Sequence, residues 1–328
     1  MKNRVGLGTF PLANVFSKVT ENNAEKIVHT FLDSGGYYID TAPMYGFGEV
    51  ERLLGKALKG YPRDKFYIAT KCGFIDVEGK TFQTLQKSSK YEDIIRECEI
   101  SLKRLNLDYI DLYFVHSPDP NTPFDETISA LMKLQKSGKI KDIGVSNVNL
   151  KELKEYNKFG KVKYIQNRFS LINRSIDKDF VHYLLDKQIK LIPYQVIDRG
   201  QLSGKVFEGF ENLRQGDLRI GRSDWLPEKV NIISDWVKEN LSSIAKDLGI
   251  TIGKLSISWA LHQKFTGFVI VGQTGTEHLI VALKSNEIIL PNYVLEKIDD
   301  AYYKLEKEIQ NKYHQTIREF RGLNEKFY

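Results

Sequence analysis

The sequence predicts an α/β fold in which eight strands, each followed by a helix, close into a (β/α)8 TIM barrel. Short β-branched or aromatic runs alternate with longer amphipathic stretches, and this unit recurs eight times along the chain. Repeated strand–helix units pair their strands in parallel through right-handed crossovers. The strands are apolar almost throughout, as expected for strands covered on both faces. Eight such units close a barrel, whereas six or fewer favour an open sheet.

The predicted strands are short apolar runs with many β-branched and aromatic residues. They span residues 5–10, 37–41, 66–71, 109–116, 141–146, 162–166, 190–194 and 268–271. The predicted helices span residues 23–33, 49–59, 92–105, 123–137, 150–156, 176–186, 229–248, 251–263 and 276–285. In the first helix Ile27, Val28 and Phe31 recur at helical spacing. Gly35 follows it, since glycine takes the left-handed C-terminal cap without strain.

Two segments are longer than ordinary connections: residues 198–226 after the seventh strand, and the tail at residues 291–328. Loops of that size in a compact domain are usually functional. We therefore expect long loops at the carboxyl-terminal face of the barrel and an extra C-terminal helix or tail. A barrel takes about 250 residues, so we predict that residues 1–328 form a single domain with these additions.

Composition excludes several classes of protein. The chain has 48 basic and 42 acidic residues, a net charge of +6, and its lysines are interleaved with glutamates rather than gathered in a stripe. We therefore expect neither a nucleic-acid nor a membrane partner. Two cysteines exclude a disulfide scaffold and a four-cysteine zinc site. The apolar runs are far shorter than the about 20 residues of a membrane helix, so we expect a soluble, cytoplasmic protein. The sequence carries no signal for an oligomeric state.

Polar residues end several of the predicted strands. Asp40 ends the second strand, Lys71 the third and His116 the fourth, and Tyr45 follows in the loop after the second. In such a barrel the chemistry takes place at the carboxyl ends of the strands. Each residue alone has a structural explanation, such as a helix cap or a satisfied core histidine. Together they are expected to converge at one rim of the barrel.

This set of side chains suits carbonyl reduction. A tyrosine hydroxyl titrates near pH 10, too high for an efficient acid at neutral pH. A nearby ammonium lowers that pKa by favouring the phenolate, and a carboxylate such as Asp40 fixes the ammonium. A histidine can hold the incoming carbonyl oxygen. The result is a proton donor aimed at a developing alkoxide.

Other chemistries fit the sequence less well. No His-Glu-x-x-His or other metal spacing is present, and no Gly-x-Ser-x-Gly elbow occurs, so we predict no metal and no α/β-hydrolase. The run Gly46-Phe-Gly48 imitates a Rossmann fingerprint but lacks its third glycine. Cys72 follows Lys71 and could be reactive beside that charge, although packing is the preferred explanation.

At these residues the sequence resembles the aldo-keto reductase superfamily, from about Val5 to at least Leu283. The segments that carry the resemblance are Gly6-Leu-Gly-Thr9, Ile39-Asp-Thr-Ala-Pro-Met-Tyr-Gly46, Ala69-Thr-Lys-Cys-Gly73, Ser101-Leu-Lys-Arg-Leu-Asn-Leu-Asp-Tyr-Ile-Asp-Leu112 leading to His116, Ile143-Gly-Val-Ser-Asn147, Ile165-Gln-Asn-Arg168 and Arg199-Gly-Gln-Leu-Ser-Gly-Lys205. Each is moderately specific, and their order and spacing together are very specific.

The resemblance implies a barrel that binds a nicotinamide dinucleotide over its rim without a Rossmann domain. Tyr45 is then the general acid, Lys71 lowers its pKa, Asp40 supports Lys71 and His116 orients the carbonyl. The residues implied in cofactor binding are Thr9, Asp40, Ser146, Asn147, Gln166, Tyr194, Gln195, Val196, Gly200, Leu202, Lys205, Gly272, Gln273, Thr274 and His278. Ser146, Asn147 and Gln166 would bind the carboxamide, Tyr194 would stack on the nicotinamide, and residues 198–205 would wrap the pyrophosphate.

The sequence departs from the family pattern at two places that bear on the cofactor. Gln195-Val196-Ile197 follows the stacking tyrosine where the family often has Ser-Pro-Leu. Thr274 stands where an arginine often holds the 2′-phosphate, although hydrogen bonds, the helix start and His278 can still bind an anion. We therefore expect NADPH as cofactor, favoured over NADH by less than about 100-fold, with NADH also used.

The resemblance implies an NAD(P)H-dependent oxidoreductase that reduces an aldehyde or ketone, or a sugar, to an alcohol. The alternatives are a sugar dehydrogenase or nucleotide-sugar reductase at the same site and, from another class, a cofactor-sensing subunit like the potassium-channel β subunits of this superfamily. The expected partner is a small carbonyl compound. Its pocket is predicted to be lined by Phe10, Met44, Phe47, Phe74 and parts of the two long segments.

Overall fold

The computed structural model describes residues 2–76, 84–204, 213 and 215–323. It contains ten strands: β1 Val5–Gly8, β2 Tyr38–Asp40, β3 Tyr67–Cys72, β4 Phe74–Asp76, β5 Leu85–Lys87, β6 Ile110–Val115, β7 Ile140–Ser146, β8 Tyr164–Gln166, β9 Lys190–Leu191 and β10 Val269–Gly272. Eight of them form one parallel sheet in the order β10-β1-β2-β3-β6-β7-β8-β9, and β4 and β5 form a separate antiparallel hairpin.

Backbone hydrogen bonds close this sheet on itself. The first and last strands of the chain pair directly, with Val5 opposite Val269 and Gly8 opposite Gly272. On the other side of β10, the Gly267 amide donates to the Leu191 carbonyl at 2.8 Å and the Ile270 amide to the Pro193 carbonyl at 3.0 Å. The predicted (β/α)8 barrel is therefore confirmed.

Twelve α-helices surround and follow the strands in the described part of the chain. They are α1 Glu21–Asp33, α2 Glu49–Ala57, α3 Tyr91–Leu105, α4 Phe124–Lys136, α5 Leu150–Phe159, α6 Lys178–Asp186, α7 Pro227–Trp236, α8 Ser242–Asp247, α9 Ile252–His262, α10 Glu277–Leu283, α11 Asn292–Tyr313 and α12 Ile317–Phe320. No helix among the described residues is long and apolar enough to cross a membrane.

Besides shifts of a few residues at the ends of elements, such as β9, which ends at Leu191 and not at residue 194, two details of the secondary structure differ from the sequence prediction. The single helix expected over residues 229–248 is interrupted by a π-helical turn at Val237–Leu241, between α7 and α8. There the Asn240 side-chain amide donates to the Trp236 carbonyl at 2.9 Å, competing for the acceptor that an α-helical bond from Asn240 would use. The β4–β5 hairpin was not predicted, because Leu85-Gln-Lys87 is not an apolar run like those of the parallel strands.

Aromatic side chains and glycines fill the barrel interior together. Tyr38 stacks on Phe268 with ring centroids 4.5 Å apart. A Cβ on Gly6 would lie 2.3 Å from the Tyr38 ring, and a Cβ on Gly144 would lie 2.4 Å from the Phe114 ring. The interior is thus a packed core, and solvent-accessible space is left at the carboxyl ends of the strands.

The tail packs on the barrel and reaches its rim. Trp236 Nε1 donates to the Ala301 carbonyl at 2.9 Å, which fastens α11 to α7. Beyond α12, Arg321 is fully buried and donates to Asp198 Oδ2 at 2.6 Å and to Gln201 Oε1 at 3.1 Å. The expected extra C-terminal helix is therefore present, and the chain that follows it meets the long loop after β9.

Candidate active site

A cavity of about 1250 Å³ opens at the carboxyl ends of the strands. Its lining includes Asp40 at the end of β2, Ser146 at the end of β7 and Gln166 at the end of β8. Tyr45, in the loop after β2, and His116, directly after β6, line the same cavity. The strand ends that the sequence identified are therefore gathered around one space.

Lys71 lies in β3, fully buried beside this cavity. Its ammonium donates to Asp40 Oδ1 at 2.8 Å and to the Thr41 carbonyl at 2.8 Å, and it lies 3.4 Å from the Tyr45 hydroxyl oxygen. Burial lowers the pKa of Lys71, and the Asp40 carboxylate opposes that shift. Three oxygen atoms thus hold the ammonium in place, and one of them is the phenol oxygen.

The Asp40 carboxylate is hydrogen-bonded at both oxygens. Oδ2 accepts from Gln166 Nε2 at 2.7 Å and from the Tyr38 hydroxyl at 3.4 Å. The Thr9 hydroxyl donates to the Asp40 carbonyl at 2.8 Å and so fixes the backbone. A buried ion pair is stable only when the remaining lone pairs are also satisfied. The Asp40–Lys71 pair meets that condition.

A tight turn after β2 presents Tyr45 to the cavity. The Tyr45 amide donates to the Ala42 carbonyl at 3.0 Å. Directly after it, Gly46 and Phe47 take positive φ angles of 58° and 54°, which turns the chain into α2. The Phe10 ring packs against the tyrosine ring with centroids 5.0 Å apart. The hydroxyl is thus held near Lys71 by its own turn and by an aromatic neighbour.

His116 faces Tyr45 across the site. Its ring lies edge-on to the tyrosine ring, with centroids 6.2 Å apart, and edge-on to Phe74 at 5.4 Å. Burial holds the pKa of His116 well below its usual value, and the positive charges of Lys71 and Lys87 act in the same direction. The imidazole is therefore neutral at physiological pH, and a neutral imidazole carries one N–H donor and one acceptor nitrogen.

Amide and hydroxyl groups at the ends of β7 and β8 and in the segment after β9 are joined to each other. The Tyr194 hydroxyl donates to Asn147 Oδ1 at 2.7 Å, and Asn147 Nδ2 donates to the His116 carbonyl at 2.8 Å. The Ser146 hydroxyl donates to the Gln166 carbonyl at 2.7 Å. Asn147 takes a φ of 58°, a conformation that asparagine tolerates better than most residues. These bonds orient the polar groups that line this side of the cavity.

Further predicted site residues line the cavity on the β9 and β10 side. These are Gln195, Val196, Gly200, Gly272, Gln273, Thr274 and His278. The Gln195 side-chain oxygen is buried and has no hydrogen-bond partner among the described residues. An acceptor left without a donor in a cavity wall fits a site whose donor comes with a ligand.

Six predicted residues do not line the cavity. Thr9, Lys71 and Leu202 are fully buried behind its wall. Met44 and Phe74 belong to a small buried cluster against which Tyr45 packs, and Phe47 lies in the turn after Tyr45. The assignment of these last three to the substrate pocket stays a prediction. Lys205 lies outside the described residues.

The two long segments and the start of α9 contribute cavity residues that the strand-end argument did not identify. The two long segments contribute Arg199, Leu218, Arg219, Arg222, Gly322 and Leu323. The start of α9 contributes Thr251, Gly253 and Lys254. Arg199 belongs to a segment that carries the family resemblance. For the other residues of the two long segments the sequence signal was segment length, since no strand end or periodicity points to individual residues there.

Cys72 belongs to the core and not to the reactive groups. Its side chain is buried, and its thiol donates to the Phe114 carbonyl at 3.4 Å. Burial raises the pKa of the Cys72 thiol well above its usual value. The packing interpretation of this residue is therefore preferred. Among the described residues no group of three His, Cys, Asp or Glu side chains could hold a metal ion.

Comparisons with known proteins agree with this geometry. The model of the Aldo/keto reductase family matches residues 4–303. The chain is 34% identical over 268 residues to Aldo-keto reductase YhdN of Bacillus subtilis (strain 168), covering 79% of this chain and 78% of that protein. It is 30% identical over 298 residues to the NADH-specific methylglyoxal reductase of Escherichia coli (strain K12), covering 86% and 90%.

Among solved structures, the glycerol dehydrogenase AKR11B4 from Gluconobacter oxydans superposes with a TM-score of 0.82 at 28% identity, covering 92% of this chain and 91% of that one. Fold, family model and sequence relatives therefore agree along most of the chain. This chain belongs to the aldo/keto reductase family, as an NAD(P)H-dependent oxidoreductase acting on carbonyl groups.

Proposed function

We propose that the protein reduces small aldehydes or ketones to alcohols with NADPH, and also with NADH, using Tyr45 as the proton donor. The observation that carries this proposal is the position of the Lys71 ammonium, 2.8 Å from Asp40 Oδ1 and 3.4 Å from the Tyr45 hydroxyl oxygen. An ammonium at that distance stabilises negative charge on the phenol oxygen. The ammonium is therefore placed to stabilise the phenolate that forms when the hydroxyl gives up its proton.

The wall of the cavity fits a nicotinamide cofactor. Ser146, Asn147 and Gln166 present donors and acceptors for a carboxamide, and Tyr194 presents a ring that its bond to Asn147 holds in place. The buried, unpartnered oxygen of Gln195 is a further acceptor on that wall. The cofactor, when bound, supplies a hydride to the carbonyl carbon.

The protein's own side chains supply the proton. The neutral imidazole of His116 donates a hydrogen bond that orients the substrate carbonyl oxygen toward Tyr45. As negative charge develops on that oxygen, the Tyr45 hydroxyl transfers its proton there and becomes a phenolate beside Lys71. Asp40 keeps the Lys71 ammonium in position, so the new negative charge forms next to a fixed positive one.

The substrate class follows from the relatives and the cavity together. One relative is a methylglyoxal reductase and one structural neighbour a glycerol dehydrogenase, so both names refer to three-carbon oxygenated compounds. In this chain Phe10 and Phe16, whose ring centroids lie 6.0 Å apart, line the same cavity as Tyr45. We propose small oxygenated carbonyl compounds, including free sugars, as substrates. Oxidation of the corresponding alcohol uses the same groups in reverse.

Substitution of Tyr45 tests the mechanism. Tyr45→Phe removes only the proton donor, so kcat should fall by roughly 10²–10⁴ while NADPH affinity and folding are kept. Lys71→Met should lose a similar factor, and the double variant should be little worse than either single one, because the two groups act as a unit. NADPH absorbance with a panel of aldehydes, sugars and nucleotide-sugars measures turnover.

Two results would contradict the proposal. Turnover by Tyr45→Phe at the wild-type rate would show that Tyr45 is not the proton donor. Tight cofactor binding without reduction of any carbonyl in the panel would instead support a cofactor-sensing subunit. Cofactor titration by protein fluorescence and circular dichroism of each variant separate these outcomes from a failure to fold.

A further inference from the structure

The cofactor-binding segment after β10 offers no fixed cation of its own. Residues 269–283 include neither lysine nor arginine, and their polar groups at the cavity are Gln273, Thr274 and His278. Phosphate recognition is strongest with a charged partner, because a charge-assisted hydrogen bond is about twice as strong as a neutral one. A cation that pairs with a phosphate next to this segment must therefore come from another element.

Four lysine or arginine side chains line the cavity in the described part of the chain, and three of them are ion-paired, two with the same carboxylate. Arg199 donates to Asp224 Oδ2 at 2.5 Å and Arg222 to Asp224 Oδ1 at 3.0 Å. Arg219 pairs with Asp217 at 2.6 Å. Lys254 is the fourth, and its ammonium has no ion pair or hydrogen bond within the described residues.

The start of α9 positions Lys254. It lies in the first turn of α9, and Thr251 caps that helix by accepting from the Lys254 amide at 3.2 Å. The neighbouring Gly253 faces the loop after β9, since a Cβ there would lie 3.9 Å from the Leu202 carbonyl oxygen. Helix α10, which follows residues 272–276, packs against α9. Lys254 lines the same cavity as Gly200, in the loop predicted to wrap the pyrophosphate, and as Gln273 and Thr274, in the segment where the family often holds the 2′-phosphate.

We propose that Lys254 is the residue that selects NADPH over NADH, by pairing with the phosphate on the adenosine ribose. The inference rests on the proposed function, since it concerns the cofactor of that reaction. It supplies the cation that the segment after β10 lacks, and the NADPH preference stays within the expected limit of about 100-fold. The hydrogen-bonding groups of Gln273 and Thr274, which line the same cavity, supplement this charge.

Binding measurements test the proposal without any turnover. Lys254→Gln should weaken NADPH binding by about 10- to 100-fold, the usual contribution of a hydrogen bond to a charged group, and change NADH binding by less than about twofold. Lys254→Arg should retain the preference, and Lys254→Glu should reverse it. The matched control is Lys246→Gln, because Lys246 is exposed on α8 and does not line the cavity. It should leave both affinities unchanged.

Small probes isolate the phosphate itself. Calorimetric titration should show that Lys254→Gln weakens the binding of adenosine 2′,5′-bisphosphate and leaves the binding of adenosine 5′-monophosphate unchanged. Equal weakening of NADPH and NADH would place Lys254 at the pyrophosphate and overturn the proposal, as would unchanged binding of both. Binding of neither dinucleotide by the wild-type protein would instead contradict the proposed function. Circular dichroism confirms that each variant is folded.

Discussion

Tyr194 connects two parts of the site, because its ring lines the cavity and its hydroxyl donates to Asn147 Oδ1 at 2.7 Å. Tyr194→Phe should therefore weaken NADPH binding by about 1 kcal/mol, the net value of a lost hydrogen bond. Tyr194→Ala should lose about 1–2 kcal/mol more, because the aromatic face is also removed. Fluorescence titration of both variants measures the difference.

Three outcomes of that titration have distinct meanings. A silent Tyr194→Phe would show that only the ring face matters, which is what the sequence alone suggests. Equal loss in both variants would assign the whole effect to the hydroxyl. Unchanged binding in both would remove Tyr194 from the cofactor site. The two-step loss is the result expected from the observed bond.

Single residues were predictable where the fold constrains them strongly. Asp40, Lys71 and His116 lie at or next to the carboxyl ends of strands, and the ends of neighbouring parallel strands must meet at one rim. Contacts between side chains could not be predicted in the same way. The bond from Gln166 to Asp40 joins residues 126 positions apart, and no local pattern encodes such a pair.

At the scale of elements, a buried ion pair joins the tail to the loop after β9. Arg321 and Asp198 lie 2.6 Å apart, with both side chains at most 1% exposed. Arg321→Met should destabilise the protein by about 3–5 kcal/mol, because it leaves the Asp198 carboxylate buried without its partner. NADPH affinity should fall as well, since Gly200 in that loop lines the cavity. Urea unfolding and fluorescence titration measure the two effects.

A second substitution provides the control for this ion pair. Asp198 takes a φ of 46°, which asparagine accepts. Arg321→Met combined with Asp198→Asn should therefore recover part of the lost stability, because no charge is left uncompensated. Equal stability of the single and double variants would show that packing of the arginine, and not its charge, holds the tail.

Elements were predicted well where the periodic signal was long. Helix α3 was expected at residues 92–105 and is found at Tyr91–Leu105, because its apolar residues recur over four turns. The β4–β5 hairpin and the π-helical turn after α7 depend on contacts of a few residues. Periodicity over so short a stretch carries too little information to identify them.

At the scale of the whole molecule, closure of the barrel depends on glycines that face aromatic rings. A Cβ on Gly144 would lie 2.4 Å from the Phe114 ring in the neighbouring strand. Gly144→Ala should therefore lower the free energy of unfolding by about 1–3 kcal/mol through overpacking. The matched control is Gly275→Ala, where no atom lies within 4 Å of the added Cβ. Urea denaturation compares the two, and equal losses would contradict the packing argument.

The barrel itself was predictable from the sequence, and the full wall of its cavity was not. The alternation of strands and helices fixes the number of units and places the strand ends. The wall is completed by Leu218 from the long loop and Leu323 from the tail, segments without a repeating pattern. Their position depends on long-range contacts such as the one from the Leu218 amide to the Val15 carbonyl at 3.0 Å.

The packing of the tail at the cavity determines where a tag or label can be attached without obstructing the site. Gly322 and Leu323 line the cavity, so an affinity tag or fluorophore attached close after them begins at its mouth. Val5 begins β1, and the amino ends of parallel barrel strands open on the opposite face. A label joined ahead of Val5 therefore leaves the approach of substrate and cofactor clear. Immobilisation through that end presents the cavity to solution.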